Sequence, residues 1–286
     1  MSKLLLHPIT TRQLAAFTAH PSHAVILLGS AGSGKLSLAE QLAEHVLELS
    51  SQRFAEYAYG QHISPVEGKA IGIEAIRDLE HFLSLKVPGR RLFDRAVIIE
   101  DAQLLTIEAQ NALLKTLEEP PKGTLLILTA THEQALLPTI RSRVQSISVQ
   151  RPERAMAEAF FAEQGGFDDQ TVKRAYTISA GLPGLMQALL AETEHPLLAA
   201  TETARQLLSK TAYERLLLVD ELAKQRSLTK DTLAILQQMA HLSLQTATGS
   251  AAQRWQTILG ASYRAAEDLQ RNGQPKLVLT QLMLHL

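Results

Sequence analysis

Over the first half of the chain, short apolar runs alternate with longer amphipathic stretches; in the second half only the amphipathic kind persists. Ala24–Leu28, Ala96–Ile99, Thr124–Ala130 and Gln145–Val149 predict strands, and their mostly unbroken apolar character predicts a sheet covered on both faces. Leu36–Leu49, Ile73–Leu85 and Ile107–Glu118 predict helices. Alternation of this kind favours an α/β unit with a parallel sheet. The connection Ser50–Gly72 has no sustained period and has room for an edge strand. In Ile107–Glu118, residues Ala109, Ala112, Leu113 and Leu117 predict one apolar face, with Lys115, Glu118 and Glu119 turned to solvent or a partner.

Strand signals stop after Arg151-Pro152. Residues 153–195 predict short helices separated by Gly165-Gly166 and by Gly181–Gly184, and His195-Pro196 reads as a boundary. Beyond it, Leu207, Leu208, Leu216, Leu217 and Leu218, then Leu233, Leu236, Met239, Ala240 and Leu242, recur at helical spacing. The predicted division is an α/β unit over 1–150, a small helical unit over 151–195 and an all-helical unit over 196–286.

At 286 residues the chain has room for two or three domains. No apolar run approaches the ~20 residues of a membrane span, and Leu4-Leu5-Leu6 is cut short by His7-Pro8, too soon for a signal-peptide core; a cytoplasmic chain is the expectation. With zero cysteines there is no disulfide and no thiolate metal site. Of ten histidines, only His20 and His23 lie close together, and Pro21 breaks the helical face that a metal pair would use. A net charge of −1 gives no bulk case for nucleic acid. Lys86, Arg90 and Arg91 around Pro88-Gly89 read as a solvated loop.

The candidate chemistry starts after Leu28. Gly29, Gly32, Ser33, Gly34 and Lys35 form a glycine-rich turn between a predicted strand and a predicted helix, the arrangement of a phosphate-binding loop. Backbone N–H groups there cradle phosphate oxygens, the helix start adds partial positive charge, and Lys35 supplies a point charge. ATP is the implied ligand. The next position normally carries Ser or Thr to ligate Mg²⁺, and this chain has Leu36; Ser37 lies about 100° further around the helix. At the end of Ala96–Ile99 stand Glu100 and Asp101, the first a candidate for Mg²⁺ and the second for orienting water. The reverse order is usual in P-loop enzymes, and a shift of about 1 Å in a catalytic group costs on the order of 10²-fold in rate.

Two further segments carry a resemblance. Asn111-Ala-Leu-Leu-Lys115-Thr-Leu-Glu-Glu-Pro120-Pro121 and Leu137-Pro-Thr-Ile-Arg141-Ser142-Arg143 resemble the bacterial clamp-loader subunits, which are AAA+ proteins, and most closely their delta-prime branch. His23-Ala24, Ile73–Arg77 and the tail Asn272–Leu277 are similar to the same family. The resemblance implies an AAA+ P-loop domain, a helical lid and a helical C-terminal collar. Its further implications are a place in a pentameric ring of clamp-loader subunits, help in opening a sliding clamp, and primed DNA engaged through the assembled complex. Arg143 is then an arginine finger offered in trans to a neighbour's nucleotide, with Arg141 a second candidate and Val144 in place of the family's Cys. Thr131, or alternatively Thr129, falls near the sensor position. The second sensor arginine is missing at Gly181–Gly184, and so is the family's cysteine zinc module, so zinc is not expected.

Leu36, the Glu100-Asp101 order and the missing second sensor together predict a subunit with weak or no ATP hydrolysis of its own. Its rivals are a competent ATPase motor subunit and a free-standing nucleotide-binding regulator; a small-molecule P-loop kinase would leave Arg143 and the C-terminal helices unexplained.

Overall fold

A computed structural model describes residues 4–49, 52–66, 69–89 and 91–286. Arg90 of the predicted basic loop, and Ser50 and Gly68 of the irregular connection, lie outside the described residues. The chain divides into two compact units, 1–152 and 153–286.

The first unit is a five-stranded parallel sheet built from β1 (Ala24–Leu28), β2 (Gly60–Ile63), β3 (Arg95–Ile99), β4 (Thr124–Ala130) and β5 (Gln145–Ser148), in the order β2-β3-β4-β1-β5. β3 and β4 are buried along their whole length, as their unbroken apolar sequences require. Helices α1 (Pro8–Ala19), α2 (Lys35–Val46), α3 (Ile73–Ser84) and α4 (Ile107–Glu118), with the single turn α5 (Pro138–Arg141), belong to this unit. Two apolar clusters flank the sheet: Val97, Ile99, Leu126 and Leu128 pack with α3 and α4, while Val25, Leu27, Ile98 and Ile127 pack with α2. Alternate strand residues supply opposite faces.

The predicted elements differ from the observed ones in defined ways. α1 was not predicted; it starts at Pro8, with His7 Nδ1 accepting from Ile9 N. It is fastened to the edge strand β5 mainly by polar groups: Thr10 Oγ1 donates to Ser148 O at 2.8 Å, and Gln13 Oε1 accepts from Ser148 N at 2.9 Å. α2 begins one residue earlier than expected and ends at Val46, where Glu48 takes a left-handed backbone (φ 55°) and closes the turn. The irregular connection does hold an edge strand, β2. The apolar face of α4 is as expected, with Ala109, Leu113 and Leu117 buried and Ala112 packed beside them.

Among its described residues the second unit is helical throughout: α6 (Arg154–Gln164), α7 (Asp169–Ile178), α8 (Pro183–Ala191), α9 (Leu198–Ser209), α10 (Ala212–Leu217), α11 (Val219–Lys224), α12 (Arg226–Leu244), α13 (Gly249–Gln270) and α14 (Pro275–His285). The break expected over Gly181–Gly184 is shorter, because Pro183 pre-sets the helical φ and α8 already contains Gly184. One apolar core runs from Ala180, Leu182 and Leu185 through Leu233, Leu236 and Ala240 to Leu286. Within it the buried Arg215 donates to the carbonyls of Leu207 and Met283, serving the ends of α9 and α14. Leu217, predicted as part of an apolar stripe, is instead exposed.

Candidate functional site

Because every strand is parallel, the residues after β1, β3 and β4 meet at one edge of the sheet, and β1 sits where the strand order reverses. Such a switch point at the carboxyl ends of strands is the usual ligand position in open α/β sheets. The glycine-rich loop follows β1 there. Gly29 N donates to Ala130 O at 3.1 Å, tying the loop to the neighbouring strand. A Cβ at Gly29 would lie 2.8 Å from Val149 O, so only glycine fits. Gly32 (φ 77°) and Gly34 (φ 83°) hold left-handed backbone, conformations that a side chain disfavours. Gly34 caps α2 with no side-chain hydrogen bond, which leaves the first N–H groups of that helix available to an anion. Ser33 Oγ is buried without a hydrogen-bond partner, an orphaned polar atom that a phosphate oxygen would satisfy. The loop therefore fits a phosphate group.

Lys35 is buried, and it is turned onto its own loop. Its Nζ donates to Gly29 O at 2.8 Å and Ser30 O at 2.9 Å. Burial pushes the ammonium below the usual lysine range, while Asp101 and, less strongly, Glu100 pull it back up. Leu36 lies half-buried against the apolar cluster beneath the sheet, and Ser37 is exposed on α2. The hydroxyl that Mg²⁺ would need is thus replaced by packing.

The acidic pair is engaged elsewhere. Glu100 Oε2 lies 3.2 Å from His62 Nε2, brought over by the pairing of β2 with β3. Asp101 has a left-handed backbone (φ 49°). Its N–H donates to Thr129 Oγ1 at 3.0 Å, and its carboxylate accepts from Gln103 Nε2 at 2.9 Å. Gln103 Oε1 in turn accepts from Thr131 N at 3.2 Å, so one side chain links the acid after β3 to the residue after β4. Thr131 Oγ1 lies 2.9 Å from His132 Nδ1. Thr129 is buried and holds Asp101, while Thr131 is at the rim. Among the described residues no group of three His, Cys, Asp or Glu is arranged to hold a metal. Leu36 together with these engaged carboxylates does not fit Mg²⁺. His23 uses its Nε2 on Leu117 O at 3.0 Å.

Arg143 lies away from the loop. Gln110, buried on α4, bonds Leu105 O, Ala135 O and Leu137 N, and so fixes the chain that enters α5. Ile140 and Val144 anchor the corner in the core, which explains an apolar residue at 144. Between them Arg143 faces outward: its Nη1 donates to Thr139 O at 2.9 Å and Ser142 Oγ at 3.2 Å, and its Nη2 pairs with Glu118 Oε1 at 2.7 Å. Arg141 does not share this arrangement, its Nε being buried without a partner. In the predicted basic loop, Arg91 donates to Leu47 O and lies 3.5 Å from Glu48, a local tie and not a free cation.

The structure thus brings Gly29, Gly32, Ser33, Gly34, Lys35, Glu100, Asp101 and Thr131 to one sheet edge and leaves Arg143 at a separate corner. Gln103, His62 and Gln110 were missed. Gln110 alone left a signal, a polar residue beside Ala109 on an otherwise apolar stripe.

Comparison with known proteins fits this geometry. The family model described as "DNA polymerase III, delta subunit" matches residues 9–153. The DNA polymerase III subunit delta' of Haemophilus influenzae is 29% identical over 184 residues, 59% of this chain and 55% of that protein. The Pseudomonas aeruginosa subunit delta' is 37% identical over 145 residues, 44% of this chain and 42% of that one; the Escherichia coli protein is 34% identical over 128 residues, 44% and 38%. The chain spans about half the length of the curated relatives it matches, or somewhat less. A crystal structure of a DNA polymerase III gamma subunit-related protein from Thermotoga maritima superposes with a TM-score of 0.52 at 20% identity, over 96% of this chain and 98% of that one. The fold is therefore the AAA+ P-loop fold expected from the sequence.

Proposed function

The chain belongs to the DNA polymerase III delta subunit family, and on that premise we propose that it is a clamp-loader subunit of the delta-prime type. In this reading it joins other clamp-loader subunits in a ring of five, with residues 151–195 as a lid and 196–286 as the collar. It helps open a sliding clamp, and meets primed DNA through the complex. Its own ATP hydrolysis is weak or absent, and Arg143 is offered to the nucleotide of the adjoining subunit. The proposed setting is the cytoplasm; among the described residues no helix is long and apolar enough to cross a membrane.

The observation that carries the reading is the direction of the side chains around the loop. Leu36 packs half-buried against the core and Lys35 is bonded to its own loop, while Arg143 is presented at the surface. ATP, when bound, would supply a triphosphate for the loop to hold. The N–H groups at the start of α2 and Ser33 Oγ would contact it, and Lys35 would exchange its two carbonyls for phosphate oxygens. With no hydroxyl at 36 and both carboxylates engaged, none of the site residues described above is placed to activate water beside it. Arg143 acts by a different route: a guanidinium set against a neighbour's γ-phosphate stabilises the charge that develops in transfer.

The test is assembly. Purified chain mixed with the other clamp-loader subunits is expected to co-elute with them in gel filtration, and alone to show no Mg-ATP turnover that Lys35→Ala removes. Failure to co-elute would favour the free-standing regulator. Turnover lost on Lys35→Ala would favour the motor subunit.

A further inference from the structure

Arg143 is not free in this chain, and its partner is placed where a carboxylate is otherwise unfavourable. Glu118 is the last residue of α4, at the negative end of the helix dipole, and Glu119 follows at the cap. The dipole disfavours an anion there, and a nearby cation offsets that. Lys115, one turn back, is exposed, and the cation that reaches Glu118 is Arg143, with Nη2 at 2.7 Å from Oε1. The two side chains are 35% and 50% exposed, so the pair is accessible and exchangeable. With Nη1 on Thr139 O and Ser142 Oγ, the guanidinium is both fixed in direction and neutralised.

We propose that Glu118 is a positioning residue that parks Arg143: its carboxylate occupies the place that a neighbour's phosphate oxygens take when the subunits close. This deepens, and rests on, the assignment of Arg143 as a finger in trans. The backbone and Ser142 bonds keep the fork aimed while the anion on Nη2 is exchanged. An exposed ion pair is weak enough to be displaced by a polyphosphate, yet strong enough to set the concentration at which displacement occurs.

The experiment uses the reconstituted clamp loader containing this chain, with the adjoining subunit as the only one left able to hydrolyse ATP. Glu118→Gln is expected to lower the half-saturating ATP concentration about two- to fivefold, the worth of an exposed pair, with maximal turnover nearly unchanged. It should also flatten the dependence of half-saturation on NaCl, and have no effect in an Arg143→Ala background. A fall in maximal turnover at unchanged half-saturation would overturn parking and make Glu118 a fixed orienting group. Unchanged half-saturation in Glu118→Gln, with turnover still lost in Arg143→Ala, would overturn parking alone. Undiminished turnover in Arg143→Ala would overturn the finger, and the parking role with it. The thermal midpoint of the isolated variant, expected close to that of the parent, separates these outcomes from misfolding.

Discussion

The phosphate loop and the Arg143 corner lie in the same unit and carry the same kind of chemistry, a cation suited to phosphate, yet they are built in opposite senses. In the loop the cation is buried and spends its donors on Gly29 and Ser30 of its own turn, while Leu36 closes the floor with core packing. At the corner the apolar anchors Ile140 and Val144 are buried and the cation is pushed outward onto a half-exposed carboxylate. Burial decides the difference. A desolvated ammonium must satisfy its donors within the fold, whereas a half-exposed guanidinium shares them with whatever anion arrives. One α/β unit can thus turn one phosphate-suited cation inward onto its own backbone and present another at its surface.

The largest effect that would break this contrast is at the corner. Arg143→Ala is expected to lower turnover at the adjoining subunit's site by ~10³-fold, measured as single-turnover hydrolysis in the reconstituted complex; a loss of only a few-fold would reduce Arg143 to a surface residue. Next in size is the floor of the loop. Leu36→Ser restores the residue type that Mg²⁺ requires but removes a half-buried apolar side chain. A destabilisation of about 1–2 kcal/mol is expected in urea unfolding, with no gain of Mg-ATP turnover, because Glu100 and Asp101 stay engaged by His62 and Gln103. Turnover appearing in Leu36→Ser would show that the loop had lost only one ligand.

The smallest effect concerns pH. Burial holds Lys35 below the usual lysine range. Between that lowered value and the unfolded value near ~10.4 the unfolded chain binds more protons than the folded one, so stability rises with pH across the window, and this component is absent below it. Tyr57, raised by burial and then by Asp94, acts oppositely at alkaline pH, since the folded chain keeps its proton longer. The difference between parent and Lys35→Met unfolding free energies cancels Tyr57 and isolates the lysine. A pH-independent difference would mean that Lys35 is solvated, and the contrast with Arg143 would lapse.

Legibility in the sequence followed local physics. β1, β4 and α4 were readable to the residue, because an unbroken apolar run or a clean stripe ends at a turn signal, and α4 starts where Thr106 Oγ1 accepts from Ala109 N. α1 was not readable. Among its residues only Thr10 and Phe17 are buried, and Thr10 and Gln13 bond the edge strand, so there was little apolar period to detect. The glycines of the loop were legible because their backbone conformations exclude other residues. Gln103 and His62 were not, since neither stands in a motif.

The sequence by itself determined the residue types: a loop that only glycines can form, a leucine where a hydroxyl is wanted, two acids closing an apolar strand, and an arginine after a proline-started turn. Only the tertiary structure decided what each of them touches. Lys35 meets its own loop carbonyls because the start of α2 folds it back; Glu100 meets His62 because β2 pairs with β3 in that register; Arg143 meets Glu118 because α4 and α5 pack on one core. Spacing along the chain fixes neighbours within a helix or strand, but partners 25 or 38 positions apart, Glu118 with Arg143 and His62 with Glu100, are set by sheet register and core packing, to which no local pattern refers.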